Sequence, residues 1–445
     1  MNIILLSGGS GKRLWPLSNE VRSKQFLKIF KKADGTHESM VQRMYRMICE
    51  VDPDATVTIA TSENQVTAID AQLGDRVGIS IEPCRRDTFP AIALATAYLH
   101  DVKGVPEEEA VVVCPVDPYV ESDYFHMLSK VHARAEKGES NLVLMGIEPT
   151  YPSEKYGYII PESKEEISTV STFKEKPDAA KAQEYIEQGA LWNAGVFAFK
   201  LKYVLAIAEK VFGTANYQEL FSNYENLTKI SFDYAVVEKE SHIQVLRFSG
   251  EWKDLGTWNT LTEAMSEEVA GNAVAAHCEN THIINELQIP LVALGVNNLA
   301  IAATPDGILV ADKAKSDQLK DYVSDQRPMY EKRVWGEYVV LDYSFQGDGN
   351  NSLTKHLIIT PGQHISYQRH AHRSEIWTCV GGTGKIIIDG KVSLIARGDS
   401  AYIKPGTKHA IKADTELHII EVQVGDELTE EDIERLDWDW ENNGL

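Results

Sequence analysis

Short apolar runs alternate with amphipathic stretches over the first 265 residues of the chain. The strand-like runs are residues 2–6, 56–60, 110–114 and 142–146. Helical patterns lie between them, for example at residues 91–100 and 125–137. Strands that alternate with helices in this way form a parallel sheet with helices on both faces. The pattern therefore predicts an α/β domain over residues 1–265.

The hydrophobic pattern changes after this domain. Over residues 270–330, short apolar runs separated by Asn, Gly and Pro predict a small β-rich connector, with a polar stretch at 312–333 expected to be helical and then loop. Over residues 335–425 almost every segment has a strand pattern, which predicts an all-β barrel or sandwich. Residues 426–445 are expected to form an acidic tail that is helical at its start.

Composition restricts the class of partner and the compartment. The chain has 445 residues and a net charge of -22 at pH 7, so a nucleic-acid or membrane partner is not expected. Any phosphate site must then be built locally from Lys, Arg and backbone N–H groups. The five cysteines are scattered without a CxxC pair, which disfavours a disulfide framework. The first apolar run is too short for a signal peptide, and the expected compartment is the cytoplasm.

A glycine-rich turn, SGGSGKRLWP at residues 7–16, follows the first strand directly. Backbone N–H groups in such a turn, together with a following cation, can hold a triphosphate. The turn is neither a Walker A loop nor a GxGxxG fingerprint. The segment SKQFL follows at residues 23–27. Together the two segments resemble the signature of sugar nucleotidyltransferases, and Trp15 and Phe26 are typical of the mannose-1-phosphate guanylyltransferase branch.

Seven further blocks follow in the order that this family has. They are EPCRRDT at 82–88, PVD at 115–117, YGY at 156–158, FKEKP at 173–177, WNAG at 192–195, SFDY at 231–234 and WKDLGTW at 252–258. Two positions depart from the family pattern, since Asp87 replaces Asn and Pro118 replaces His. Each block alone is better explained as a turn or a helix cap, but their order makes that explanation weak.

The resemblance implies a role for each matched residue and an α/β, Rossmann-like nucleotidyltransferase domain with a mostly parallel sheet. It implies Arg13 and Lys24 at the β,γ-phosphates, Lys176 at the sugar phosphate, and Asp117 and Asp254 on one Mg²⁺. The implied nucleotide-binding residues are Gly8, Gly9, Gly11, Glu82, Arg86 and Thr88. The implied sugar-binding residues are Gly157, Glu175 and Asn193.

The implied reaction joins GTP and mannose 1-phosphate to GDP-mannose and pyrophosphate, for polysaccharide biosynthesis. The attacking sugar phosphate is already an anion, so the enzyme has to position two polyanions and neutralise their charge. A guanylyltransferase for another manno-configured sugar phosphate stays open as an alternative, and so does a homo-oligomer. A non-catalytic sensor is disfavoured because the cations and the carboxylates are all present.

A second constellation, QRHAHRSEIW, lies at residues 368–377. On an extended strand Gln368, His370 and His372 point to one side. Imidazoles and a carboxylate inside a small β-barrel suit a divalent transition metal. The run resembles the motif of type II phosphomannose isomerase, a cupin often fused to this guanylyltransferase. The resemblance implies a cupin β-barrel that binds Zn²⁺ or another divalent transition metal through Gln368, His370, Glu375 and His409, with His372 as a substitute.

Two departures separate this part from the isomerase family. After His409 the family's polar residues are replaced by the sequence AIKAD. Near its end the family usually has a D-x-Y-G-R-like segment with an arginine, whereas this chain has DWDW at residues 437–440 and Arg435 as the nearest arginine. Both a bifunctional enzyme with mannose-6-phosphate isomerase activity and a metal-binding barrel without that activity therefore stay open.

Overall fold

The computed structural model describes residues 1–9, 12–19, 22–323, 327–345 and 350–440. The predicted nucleotide-binding Gly11 lies outside the described residues, as does the last part of the predicted tail.

The first part of the chain forms a large sheet with helices on both faces. Its strands, with those of two short ribbons, are β1 (Asn2–Ser7), β2 (Phe30–Lys31), β3 (His37–Glu38), β4 (Thr56–Ser62), β5 (Gly78–Glu82), β6 (Ala110–Pro115), β7 (Pro118–Val120), β8 (Leu142–Ile147), β9 (Tyr158–Pro161), β10 (Ile167–Lys174), β11 (Leu191–Lys200), β12 (Ile243–Phe248) and β13 (Trp252–Asp254). The helices are α1 (Met40–Val51), α2 (Glu63–Leu73), α3 (Thr88–Asp101), α4 (Ser122–Glu136), α5 (Ala179–Glu187), α6 (Leu201–Phe212), α7 (Tyr217–Ser222), α8 (Phe232–Ala235) and α9 (Trp258–Ala264).

The large sheet has nine strands in the order β5-β4-β1-β6-β11-β8-β12-β10-β9. Within it β10 and β11 run opposite to the other strands, so the sheet is mixed but mostly parallel, as predicted. Alternate residues of β1 pack into different cores: Ile3 and Leu5 join the cluster with α1 and α4, whereas Ile4 joins the cluster with α3 and α6. This burial on both faces explains the continuous apolar runs in the sequence.

The connector is a small parallel solenoid. Its strands are β14 (Val269–Gly271), β15 (Ala273–Ala276), β16 (His282–Asn285), β17 (Leu291–Leu294), β18 (Leu299–Thr304) and β19 (Gly307–Asp312). Residues 18 positions apart meet in successive turns, as in the bond from Asn280 to Asn298. A 3₁₀ helix, Lys313–Asp321, follows. The stretch predicted as loop after it contains a strand at Tyr330–Arg333, which pairs with the barrel.

The C-terminal part is a barrel of two facing sheets around one apolar core. Its strands are β20 (Tyr330–Arg333), β21 (Gly336–Ser344), β22 (Asn351–Ile359), β23 (Tyr367–His370), β24 (Arg373–Gly381), β25 (Thr383–Ile388), β26 (Lys391–Ala396), β27 (Ser400–Ile403), β28 (His409–Ala413), β29 (Leu417–Gly425) and β30 (Ile433–Leu436). The six-stranded sheet has the order β20-β21-β22-β29-β24-β27 and the five-stranded sheet β26-β25-β28-β23-β30.

The segment predicted as an acidic tail completes the barrel. After a single 3₁₀ turn at Glu430–Asp432, β30 pairs with β23, and Glu434 forms an ion pair with Arg369 at 2.7 Å. The Asp432 carboxylate accepts the N–H groups of Ala371 and His372. The acidic side chains of this segment therefore have specific partners on the barrel, which composition alone does not reveal.

Gly271 of the connector should not tolerate a side chain. Its φ is +86°, and a Cβ there would overlap the carbonyl oxygen of Asn285 on the next turn. Gly104 is a matched control, because its φ is +71° and open space surrounds its Cβ position. We expect Gly271→Ala to lower the free energy of unfolding by about 3 kcal/mol or more, and Gly104→Ala by about 1 kcal/mol. Denaturant titration compares the two, and equal losses would contradict the packing described here.

Candidate active site and metal centre

The loops at the carboxyl edge of the large sheet enclose an open cavity of about 810 Å³. Strands β5, β4, β1 and β6 are mutually parallel, so their carboxyl ends lie along one edge. The residues that follow these strands line the cavity and include Gly8, Gly9, Glu63, Asn64, Pro83 and Asp117. The dimensions suit a nucleotide-sized ligand.

The structure brings most of the predicted nucleotide-binding residues to this cavity. Gly8, Gly9, Glu82 and Thr88 all line it. Arg86 does not line it, because its guanidinium donates to the carbonyl oxygen of Glu225. The preceding residue, Arg85, lines the cavity in its place. The predicted block at residues 82–88 therefore lies at the cavity, but of its two neighbouring arginines only Arg85 lines the cavity.

The carboxyl group of Glu82, in the cavity wall, has a pKa far above the usual value for a glutamate. Burial raises the pKa of its carboxyl group to about 7, although the hydroxyl of Tyr224 donates to it at 2.7 Å.

Asp87, which departs from the family pattern, accepts the N–H of Thr88 at 2.8 Å and caps α3. An Asn side chain has an oxygen that can make the same bond, so the cap itself does not require the negative charge.

Two carboxylates and one lysine meet beside the cavity. The ribbon of β7 and β13 pairs Asp254 with Pro118 and so brings Asp254 close to Asp117. Lys24 Nζ lies 2.8 Å from Asp117 Oδ2 and 3.6 Å from Asp254 Oδ1. Burial alone would lower the pKa of Lys24, but the two carboxylates outweigh it and the pKa is raised. The two carboxylates attract positive charge and offer oxygen ligands, which divalent cations such as Mg²⁺ prefer.

Arg13 lies within electrostatic reach of this group. It is exposed, and its charge works against the raised pKa of Lys24. The predicted phosphate-binding cations, Arg13 and Lys24, are therefore close enough for their charges to interact.

The predicted sugar-binding residues form a second cluster. Lys176 Nζ lies 2.6 Å from Glu175 Oε1, and a Cβ on Gly157 would lie 2.6 Å from Glu175 Oε2. Asn193 Nδ2 donates to Asp233 Oδ1 at 2.7 Å. Burial and the charge of Glu175 raise the pKa of Asp233 to about 6. Asp233 belongs to the SFDY block, but it was not predicted as a site residue.

Tyr156 joins the sugar cluster to the carboxylate pair. Its ring packs on Trp252 and Trp192, with centroids 5.4 and 5.0 Å away. Burial raises the pKa of Tyr156, and the charge of Asp254 contributes. Gly157 of the sugar cluster is the next residue in the chain, so Tyr156 connects that cluster to the surroundings of Asp254.

A separate group of metal-ligand side chains lies inside the barrel. The ligand atoms of His370, Glu375 and His409 all lie within 4.8 Å of one another, and all three residues are buried. The two imidazole Nε2 atoms are 3.1 and 3.4 Å from the Glu375 carboxylate. His409 Nδ1 faces the carbonyl oxygen of Thr407 at 2.9 Å, while its buried Nε2 has no hydrogen bond to any of the described residues. If Nδ1 donates to that carbonyl, Nε2 presents a lone pair, as a metal ligand does.

Gln368 and His372 differ in their relation to this group. Gln368 is buried, and its Nε2 lies 3.5 Å from His370 Nε2. His372 as a substitute ligand is wrong: β23 ends at His370, so the strand alternation does not extend to it. The His372 side chain is 50% exposed and lies 3.5 Å from Asp426.

The barrel interior also holds polar residues that the sequence analysis did not predict as site residues. They are Lys355, Arg373, Glu421 and Gln423, and all are buried. Arg373 Nε lies 3.0 Å from Glu375 Oε1, and Trp377 Nε1 donates to both Glu375 and Glu421 at 3.1 Å. Burial and the charge of Glu375 raise the pKa of Glu421 to about 7. Strand alternation on β22 and β29 is the signal that could have found Lys355 and Glu421.

Comparison with known proteins follows the same division of the chain. Residues 2–270 match the sequence model of the nucleotidyl transferase family. The chain belongs to this family. Residues 321–438 match the model described as mannose-6-phosphate isomerase C-terminal. This range contains all the barrel strands, from β20 to β30. The predicted combination of a nucleotidyltransferase domain and a C-terminal cupin of the isomerase type is confirmed.

Relatives within the family match over nearly the whole chain. The xanthan biosynthesis protein XanB of Xanthomonas campestris is 32% identical, covering 98% of this chain and 97% of that protein. The mannose-1-phosphate guanylyltransferase RfbM of Salmonella typhimurium is 30% identical, covering 98% and 96%. A crystal structure described as mannose-1-phosphate geranyltransferase from Thermus thermophilus has a TM-score of 0.61 and 28% identity, covering 72% of this chain and 97% of that one. In the part of the present chain that the structure describes, no helix is long and apolar enough to cross a membrane.

The barrel cluster should bind one divalent transition metal per chain. We expect His409→Ala to remove the metal from the full-length protein, because its free Nε2 is one of three ligand atoms. His372→Ala is the matched control and should keep the metal, since His372 is half-exposed and away from the cluster. Elemental analysis after dialysis measures both. A metal-free, folded wild type, or equal loss in both variants, would contradict the site.

Proposed function

We propose that this protein is a mannose-1-phosphate guanylyltransferase, which joins GTP and mannose 1-phosphate to GDP-mannose and releases pyrophosphate. The observation that carries the proposal is the meeting of Lys24 with Asp117 and Asp254 beside the cavity. Tyr156 connects this centre to the cluster around Glu175. The relatives support it, since RfbM is named for this activity and XanB for the biosynthesis of a polysaccharide.

Each group has a task in this reaction. The backbone of Gly8 and Gly9 approaches the triphosphate, and Arg13 and Lys24 hold its β,γ-phosphates. Lys176 orients the attacking sugar phosphate, and Glu175 holds sugar hydroxyl groups. Since the nucleophile is already an anion, these residues act by positioning and charge neutralisation.

The proposed cofactor is Mg²⁺ on Asp117 and Asp254. When bound, it would supply positive charge that offsets the negative charge of the reacting phosphates. The carboxylate pair holds the Lys24 ammonium in this structure, and a triphosphate offers Lys24 a second set of anionic partners. The proposed compartment is the cytoplasm, in keeping with five free cysteines.

The reaction is tested with purified protein, Mg²⁺ and a panel of nucleoside triphosphates and sugar 1-phosphates. We expect pyrophosphate release with GTP and mannose 1-phosphate. Asp117→Asn and Asp254→Asn should each lower kcat by roughly a hundredfold or more, the scale of one lost preorganised electrostatic group.

Asp75→Asn is the matched control, because Asp75 is exposed, does not line the cavity and precedes β5, whose other end leads to the cavity. It should leave kcat unchanged. Efficient turnover with another triphosphate and none with GTP would refute the proposed base. Preference for another manno-configured sugar phosphate would identify the alternative substrate. Near-normal kcat in both carboxylate variants at saturating Mg²⁺ would refute the metal site.

The barrel favours a second activity, the interconversion of mannose 6-phosphate and fructose 6-phosphate. Its interior combines the cluster at His370, Glu375 and His409 with the buried cations Lys355 and Arg373, which suit a phosphorylated sugar. The proposed metal is Zn²⁺ or another divalent transition metal. His409→Ala should abolish interconversion and leave GDP-mannose formation intact. A metal-loaded wild type without interconversion would exclude the isomerase activity.

A further inference from the structure

The connector lies against residues 15–19, at the end of the glycine-rich turn and directly after it, and we call this stretch the phosphate-loop segment. Thr304 Oγ1 donates to the carbonyl oxygen of Pro16 at 3.1 Å. A Cβ on Gly307 would overlap the ring of Trp15, so the turn between β18 and β19 packs directly on this segment. Asn19 Nδ2 donates to Asp306 Oδ2, in the same turn, at 2.8 Å.

Arg22 makes a second, stronger attachment. Its two Nη atoms donate to the two carboxylate oxygens of Glu286 at 2.7 and 2.6 Å, and its guanidinium lies 5.7 Å from the ring centre of Tyr330. Its backbone N–H donates to Asn19 Oδ1 at 2.6 Å, and its carbonyl oxygen accepts the N–H of Asn19 at 2.9 Å. Such bidentate pairs are among the strongest polar contacts and have a defined geometry.

The same attachments reach the barrel. Asp306 Oδ1 accepts the backbone N–H of Met329 at 2.6 Å, directly before β20. Tyr330, the first residue of β20, donates its hydroxyl to Glu337 Oε2 on β21 at 2.7 Å. Asp306 therefore holds the phosphate-loop segment with one oxygen and the chain entering the barrel with the other.

The residues directly after Arg22 face the active site. Ser23 Oγ donates to the carbonyl oxygen of Gly9 at 3.3 Å, and Gln25 Nε2 donates to Ser7 Oγ at 3.0 Å. Lys24 lies between them and contacts Asp117 and Asp254. Arg22 is therefore two positions before Lys24, in a stretch whose next three side chains all contact the site.

From this arrangement we infer that Arg22 and Asp306 are positioning residues for nucleotidyl transfer. They hold Lys24 and the phosphate-loop segment in place through the connector and the first barrel strand. The inference rests on the proposed function for the identity of the triphosphate. We call Arg22 and Asp306, with their hydrogen-bond partners, the clamp. A misplacement of a catalytic group by about 1 Å can lower the reaction rate roughly a hundredfold, so the clamp can affect catalysis without contacting the substrate.

Two variants of the full-length protein test the clamp. Arg22→Gln removes the bidentate pair, and Asp306→Asn replaces an acceptor of two hydrogen bonds by a side chain with one acceptor oxygen. We expect the KM and the Kd for GTP to rise about tenfold in each, with the KM for mannose 1-phosphate changed less than twofold. Glu267→Gln is the matched control. It breaks the exposed pair with Lys31, which also joins the α/β part to the connector, and should leave both constants unchanged.

A double-mutant cycle separates positioning from general stability. If Arg22 acts through Lys24, Arg22→Gln should weaken GTP binding little in a Lys24→Met background, whereas independent effects would add. Additive losses, unchanged constants in Arg22→Gln and Asp306→Asn, or equal effects on both substrates would overturn the clamp. A wild type that binds and uses another triphosphate refutes the proposed function, and the same cycle is then measured with that triphosphate. A wild type that binds none overturns both.

Discussion

The candidate active site depends on holding two carboxylates from distant parts of the chain beside one cation that is largely buried. Asp117 and Asp254 repel each other, and the ammonium group of Lys24 between them offsets that repulsion. The backbone enforces this arrangement, since the pairing of β7 with β13 sets the register of Asp254 against Pro118. The nucleotide cavity, the sugar cluster and the segment held by the connector are all arranged around that centre. The interaction explains why the chain returns, more than a hundred residues later, to the carboxyl edge of its first strands.

The alternation of strands and helices could be predicted from sequence because β1, β4, β6 and β8 are buried on both faces and are largely apolar. The motif blocks likewise indicated which loops form the site. Contacts between blocks could not be predicted in this way. Arg86 faces the carbonyl oxygen of Glu225 rather than the cavity, and motif spacing contains no information on that choice.

The barrel shows the same limit more clearly. His372 has the spacing of a ligand, but the strand ends two residues earlier and its side chain lies at the surface. Lys355 and Glu421 looked like ordinary charged residues, yet each lies on the inward face of an alternating strand. Whether such a residue is paired inside or solvated outside depends on strands that are far away in sequence. The strand at Ile433–Leu436 was missed for a related reason, because its acidic neighbours are satisfied by tertiary partners.

The place of β30 in the barrel has a consequence for truncated forms of the protein. His370 Nδ1 lies 3.4 Å from the carbonyl oxygen of Asp432, and β30 pairs along β23 immediately afterwards. A form cut after β29 would keep every predicted ligand residue of the barrel but would lose these partners of the strand that carries Gln368 and His370. The ligand residues alone therefore do not define the smallest barrel that can keep the site.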